Sequence, residues 1–90
     1  MGLKTTSQCL GYQKITDLTS ATGLTVPTGA TWCLIAVETA AIRFRDDAAP
    51  TASIGFPLPS GAIMEYDGNL KNIKFINQST AASLSVTYYC

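Results

Sequence analysis

The chain has 90 residues, 47% apolar and 13% charged, with six Lys or Arg balancing six Asp or Glu and no histidine. One domain is expected at this length, and zero net charge provides no long-range field to attract nucleic acid or an anionic membrane. The lack of histidine excludes Ser-His and Cys-His nucleophilic arrangements within one chain and removes the commonest metal ligand.

Met1 to Gln8 lack the apolar stretch of a secretory signal, and residues 1–9 read as an extended N-terminal arm. No run approaches the ~20 apolar residues that span a bilayer, so no membrane association is expected. Cys9, Cys33 and Cys90 are odd in number and far apart, which argues against a disulfide framework or a zinc site and for reduced thiols. Residues 10–17 are expected to form the first strand. Tyr12, Ile15 and Leu18 recur at helical spacing there, but Gly11 and the Thr/Ser residues over 16–22 weaken a helix.

A short strand over 24–26 precedes Pro27-Thr28-Gly29, where Pro at the second turn position and Gly at the fourth suit a type I turn. Residues 31–39 form a strand apolar on both faces, with Trp32, Leu34 and Ala36 against Cys33, Ile35 and Val37. In strand 41–45, Ile42 and Phe44 oppose Arg43 and Arg45. Asp46-Asp47 and Pro50 mark a turn before strand 53–56, and Pro57-Leu58-Pro59-Ser60-Gly61 marks the next. Strand 62–66 sets Ala62, Met64 and Tyr66 against Ile63 and Glu65. Asp67-Gly68 suits a tight hairpin. Strand 70–77 sets Ile73 and Phe75 against Lys74, residues 77–83 are a polar loop, and strand 83–89 sets Leu84, Val86 and Tyr88 against Ser85, Thr87 and Tyr89.

A repeat runs through this list. Gly23-Leu24-Thr25-Val26-Pro27-Thr28-Gly29-Ala30 is echoed by Gly55-Phe56-Pro57-Leu58-Pro59-Ser60-Gly61-Ala62, and Ile42-Arg43-Phe44 by Ile73-Lys74-Phe75. The offset between copies is one residue longer at the turns, Gly29 to Gly61, than at the tripeptides, Phe44 to Phe75. The pattern predicts an all-β fold, a small antiparallel β-sandwich of jelly-roll-like form with an internal pseudo-repeat. By the echo with Ala62-Met64-Tyr66, the Trp32 face enters the core. The Cys33-Ile35-Val37 face then needs cover from a second sheet or a neighbouring subunit. Cys33, Ile35, Val37, Arg43, Arg45 and Tyr89 are the resulting protein-interface candidates, and a trimeric or other cyclic homo-oligomer follows from them.

The remaining polar residues suggest no catalytic or metal constellation. The acids are Asp17, Glu38, Asp46, Asp47, Glu65 and Asp67. Asp46-Asp47 and Asp67-Gly68-Asn69 read as turn formers rather than calcium ligands. The Gly-Pro-Gly phrase opens no helix and carries no Lys-Ser/Thr, so it is not a phosphate loop, and a cupin-like metal site would need histidine. No catalytic residue, cofactor or metal is expected.

The order of these features resembles a group of small proteins of tailed bacteriophages. The likeness rests on Gly23-Leu24-Thr25-Val26-Pro27 with Gly29-Ala30, on Leu34-Ile35 with Val37-Glu38, and on Ile42-Arg43-Phe44-Arg45-Asp46-Asp47. It continues through Pro50-Thr51-Ala52-Ser53 with Gly55, Tyr66-Asp67-Gly68, Ile73 with Phe75-Ile76, and Leu84, Val86, Tyr88 and Tyr89. It covers nearly the whole chain from Tyr12, and the Arg45 to Ser53 stretch is its most specific part. The resemblance implies a virion-associated structural protein of about this length, with no catalytic residues to carry over.

The expected function is therefore that of a virion accessory protein, in particular a capsid decoration or cement protein. It would contact the major capsid protein or other virion proteins, and would be found in the host cytoplasm during assembly. The alternative is a tail- or fibre-associated module that recognises a host surface glycan on Trp32 or Tyr89. A small enzyme using Asp46 and Glu65 is the weakest reading.

Overall fold

The computed structural model describes residues 8–90; of the expected arm over 1–9, residues 1–7 lie outside the described part, and Cys9 already opens the first strand. Eight strands follow in order: β1 Cys9–Ile15, β2 Thr22–Gly23, β3 Trp32–Glu38, β4 Ile42–Arg45, β5 Phe56–Leu58, β6 Ile63–Tyr66, β7 Lys74–Asn77 and β8 Ser83–Tyr89. They form two four-stranded antiparallel sheets, ordered β1-β8-β3-β6 and β2-β7-β4-β5. The pairing is nested: first strand with last, second with seventh, third with sixth, fourth with fifth. The chain is one long hairpin rolled into a sandwich, the jelly-roll arrangement.

The core lies between the sheets. It holds Ile15, Cys33, Ile35, Val37, Ile42, Phe75, Leu84, Val86 and Tyr88, with Leu18, Leu70 and Ile73 contributed by the connections. The buried hydroxyl of Tyr88 donates to Gln13 Oε1 at 2.6 Å. The same oxygen accepts the Thr25 amide at 3.1 Å, while Gln13 Nε2 donates to Thr25 Oγ1 at 3.3 Å. Tyr88 and Gln13 thus tie β1 and β8 to the crossover that leads into β3, and satisfy polar atoms that would otherwise be costly to bury.

The strand boundaries differ from expectation where apolar residues plug an end of the sandwich instead of pairing. Leu70 and Ile73 are buried, but they lie in a turn in which the amides of Asn72 and Ile73 both donate to the Asn69 carbonyl. Strand β7 therefore begins only at Lys74. Thr25 bonds Gln13 while Leu24 and Val26 pack against the core, and the short strand falls at Thr22–Gly23, where it pairs with β7. Asp67-Gly68 closes no hairpin, because β6 and β7 belong to different sheets. Gly68 is needed for another reason: a Cβ there would lie 2.5 Å from the Tyr66 hydroxyl.

The two phrases of the repeat build the same turn. The amide of Ala30 donates to Pro27 at 3.2 Å, that of Ala62 to Pro59 at 3.1 Å, and Gly29 and Gly61 have φ of 89° and 90°. With Pro first and a positive-φ Gly third, these are type II turns, not the type I turns expected. The repeated units β2-β3-β4 and β5-β6-β7 are related by a pseudo-twofold. It exchanges the β2·β7 and β4·β5 pairs and leaves β3·β6 and β4·β7 in place. Leu34 opposite Glu65 and Phe44 opposite Phe75 lie on its axis, both pairs separated in the chain by the offset of the tripeptides.

That register corrects the assignment of faces on β3. The offset is longer by one at the turns than at the strands. One extra residue in the first copy, between Ala30 and β3, therefore reverses the inside–outside alternation, as any one-residue slip does. Cys33, Ile35 and Val37 are the core face, at 0%, 0% and 2% exposure. Leu34 and Ala36 are half-buried on the outer face of the first sheet. Trp32 shares that outer face, is buried outside the main core, and stacks on Tyr89 with ring centroids 4.5 Å apart.

Two measurements test this packing. Ile35→Ala should cost about 2–5 kcal/mol in chemical denaturation, as a buried aliphatic truncation does, whereas Leu34→Ala should cost about 1 kcal/mol or less; the reverse order would mean that the faces are exchanged. Burial raises the Cys33 thiol from 9.0 to about 11 and is the largest cause raising the Tyr88 phenol from 10.0 to about 12. These groups stay protonated in the native state while the unfolded chain ionises. Stability should hold below pH 9 and fall from pH 9 towards 11–12. Replacing Cys33 by Ala should delay the onset of that fall in pH-dependent thermal melts.

Candidate functional site

The six residues expected at an interface are not brought together. Cys33, Ile35 and Val37 are interior and leave no surface for a partner. Tyr89 is half-buried on the outer face of the first sheet, on the β8 edge of Trp32. Trp32, at 1% exposure, presents no open ring on which a sugar could stack.

Arg43 and Arg45 extend from the outer face of the second sheet and do different work. Arg43 Nε donates to the Ala52 carbonyl at 3.0 Å and its Nη1 to the Gly55 carbonyl at 2.9 Å. It pins the loop between β4 and β5. Gly55, with φ of 146°, fits beneath it because a Cβ would meet Arg43 Cβ at 3.1 Å and the Phe44 carbonyl at 3.2 Å. Thr51 closes the loop from inside, its Oγ1 accepting the Ile54 amide at 3.0 Å. Arg45 makes a two-point contact with Asp47 at 2.9 and 2.8 Å. That hydrogen bonding holds the Asp47 carboxyl below its ordinary range and raises the Arg45 guanidinium.

The acids are mostly engaged by near neighbours. Asp46 accepts the Tyr66 hydroxyl at 2.9 Å. Burial first, and this carboxylate second, push the Tyr66 phenol up to about 12. Glu65 sits beside Tyr66 on β6, and successive strand residues face opposite ways, so Asp46 and Glu65 are not assembled as a carboxylate pair. Glu38 accepts Ser85 Oγ at 2.6 Å and pairs with Lys14 at 3.5 Å, and both hold its carboxyl low. Among the described residues, no three His, Cys, Asp or Glu side chains converge as a metal site.

What the fold does gather is apolar surface. Four large apolar side chains are conspicuously exposed: Tyr12 at 62%, Ile54 at 57%, Phe56 at 63% and Ile63 at 67%. Ile54 and Phe56 line one groove at the β5 edge of the second sheet, and Ile63 lies outside it, opposite Ala36 on the outer face of the first sheet at the neighbouring β6 edge. Phe56 packs on Phe44 with centroids 5.4 Å apart, and Phe44 in turn on core Phe75 at 6.1 Å. An open groove of about 650 Å³ runs along Phe44, Ile54, Phe56 and Pro57, bounded by the Arg45–Asp47 pair. The sequence carried a faint signal for it. Phe56 is an aromatic hemmed in by Gly55, Pro57 and Pro59, and β5 is only three residues long, which leaves little strand to cover it.

No family model matches the chain, and no curated protein or solved structure is significantly similar to it.

The two arginines give a direct test of the loop that frames this groove. Arg43→Ala should destabilise the fold by about 1–2 kcal/mol through loss of two charged hydrogen bonds, and should speed amide exchange over residues 51–55. Arg45→Ala should leave the melting temperature unchanged within error, as expected of an exposed pair.

Proposed function

We propose that this protein works by adhesion, as a structural accessory of a tailed-bacteriophage particle, with capsid decoration as its specific role. The observation that carries the reading is the exposure of Ile54, Phe56 and Ile63 on one side of a small sandwich of zero net charge. Apolar surface of this kind is removed from water by contact with another protein at roughly 25 cal/mol per Å². Further support comes from the resemblance of the Arg45 to Ser53 stretch and the terminal strand to small virion proteins. The jelly roll itself adds only an analogy, since the fold serves viral shells and lectins alike. In this reading the protein seals contacts on the shell, the major capsid protein is its partner, and it passes through the host cytoplasm on its way to the virion.

Quantitative mass spectrometry of purified particles tests the proposal. A copy number close to that of the major capsid protein is expected. A handful of copies would move the protein to the neck or tail, and absence from particles would overturn the reading.

A further inference from the structure

The pseudo-twofold is broken in one place. It maps the edge of β3 that carries β8 onto the outer edge of β6, and among the described residues no strand lies there. The amide of Val37 donates to the Ala62 carbonyl at 2.9 Å, in the same register that pairs Ile35 with Met64 and Cys33 with Tyr66. Antiparallel pairs alternate between bonded and non-bonded. Met64 and Tyr66 therefore spend their backbone groups on β3, while Ile63 and Glu65 turn theirs towards the open edge.

The other three sheet edges are blunted in recognised ways. Strand β1 carries a bulge between Cys9 and Gly11 and a lysine, Lys14. Strand β2 has two residues. Strand β5 has Pro57 at its centre, which lacks an N–H. Strand β6, Ile63–Tyr66, has no proline or lysine, carries one charge at Glu65, and follows the irregular step at which Gly61 and Ala62 both bond Val37; it begins with the most exposed large apolar side chain of the described residues.

We infer that this edge pairs with its own counterpart on a second copy, joining two first sheets into one eight-stranded sheet about a twofold axis. An isologous contact requires a patch that complements itself, and β6 does so in one register. With Ile63 opposite Ile63 of the second copy on the axis, that pair exchanges both backbone bonds, while Glu65 falls opposite Gly61, whose own amide already donates to the Val37 carbonyl at 2.8 Å, and Met64 opposite Ala62. The two Glu65 carboxylates are then separated by about 13 Å along the strands. Pairing Glu65 with itself would set like charges face to face, and pairing it with Ile63 would set a carboxylate against an aliphatic twice. Ile54 and Phe56 lie on the same side of the sandwich as the joined edges. This assembly stands whether or not the protein belongs to a particle.

Light scattering on the full chain over a concentration series should show a monomer giving way to a dimer, and Ile63→Lys should hold it as a monomer at every concentration. Cross-linking provides the second measurement. In a Cys9→Ser, Cys90→Ser background, Ile63→Cys places two thiols in a directly opposed pair, with Cα atoms about 5.5 Å apart, within disulfide range. Diamide should then take two protons and two electrons from the thiols, become the hydrazine, and leave a covalent dimer. It should do so at least tenfold faster than for Lys71→Cys in the same background. A trimer, a monomer at all concentrations, a dimer that survives Ile63→Lys, or cross-linking no faster than at position 71 would each overturn the inference. If Ile63→Lys fails to fold, the cross-linking rates decide alone.

Discussion

Strand β3 is hydrogen-bonded on both sides, to β8 and to β6, and the register of those two ladders decides which of its two apolar faces is inside. Everything else follows that choice. Ile35 stands opposite Val86 on one side and Met64 on the other, and Cys33 opposite Tyr88 and Tyr66. The core is therefore a row of cross-strand pairs three strands wide. A slip of one residue would bring out Cys33, Ile35 and Val37 and bury Leu34, Ala36 and Glu38, leaving a carboxylate inside. Glu38 fixes the register from the outer face, where it accepts Ser85 Oγ and pairs with Lys14 across three strands.

The sequence is readable wherever alternation is clean, and ambiguous where both faces are apolar. Strand 83–89 is found as expected because Leu84, Val86 and Tyr88 alternate with Ser85 and Thr87, and nothing competes with that period. The all-β class and the sandwich are visible in the same way. Strand β3 offers no such contrast, and the repeat that suggests its inner face carries the decisive extra residue in the first copy, between Ala30 and β3. The mismatch between the Gly29–Gly61 and Phe44–Phe75 offsets is present in the sequence, but only the pairing of Leu34 with Glu65 locates it. The apolar groove is only faintly legible, for a different reason. Phe56 reads like any core aromatic, and its exposure depends on how short β5 is and on the absence of a strand beyond it among the described residues.

The repeat also explains why the molecule has two unlike sides. Its two halves are matched from the type II turns to Phe44 and Phe75, yet the first half alone is extended by β8 and then β1. On that side the sheets are closed by long ladders and by the Tyr88–Gln13–Thr25 bonds. On the other side the sandwich ends at the edge strands β5 and β6. An internal symmetry satisfied by six strands and broken by two necessarily leaves one half less covered than the other. The apolar residues Ile54, Phe56 and Ile63 are found there.

The polar side chains lead to the same place. Asp17 is bound by Thr19, Glu38 by Ser85 and Lys14, Asp46 by Tyr66, Asp47 by Arg45, and Arg43 by the loop it holds. Groups committed to structure at hydrogen-bonding distance are poorly placed to exchange protons or grip a small ligand, because each would first have to break a bond it already makes. Ile54, Phe56 and Ile63 have no such commitment. The greater part of each side chain faces water, where it contributes little to the fold and favours contact with a second surface. The charges are thus largely spent on the protein's own loops and strands, and the large apolar side chains left uncovered are those at the β5 and β6 edges and Tyr12.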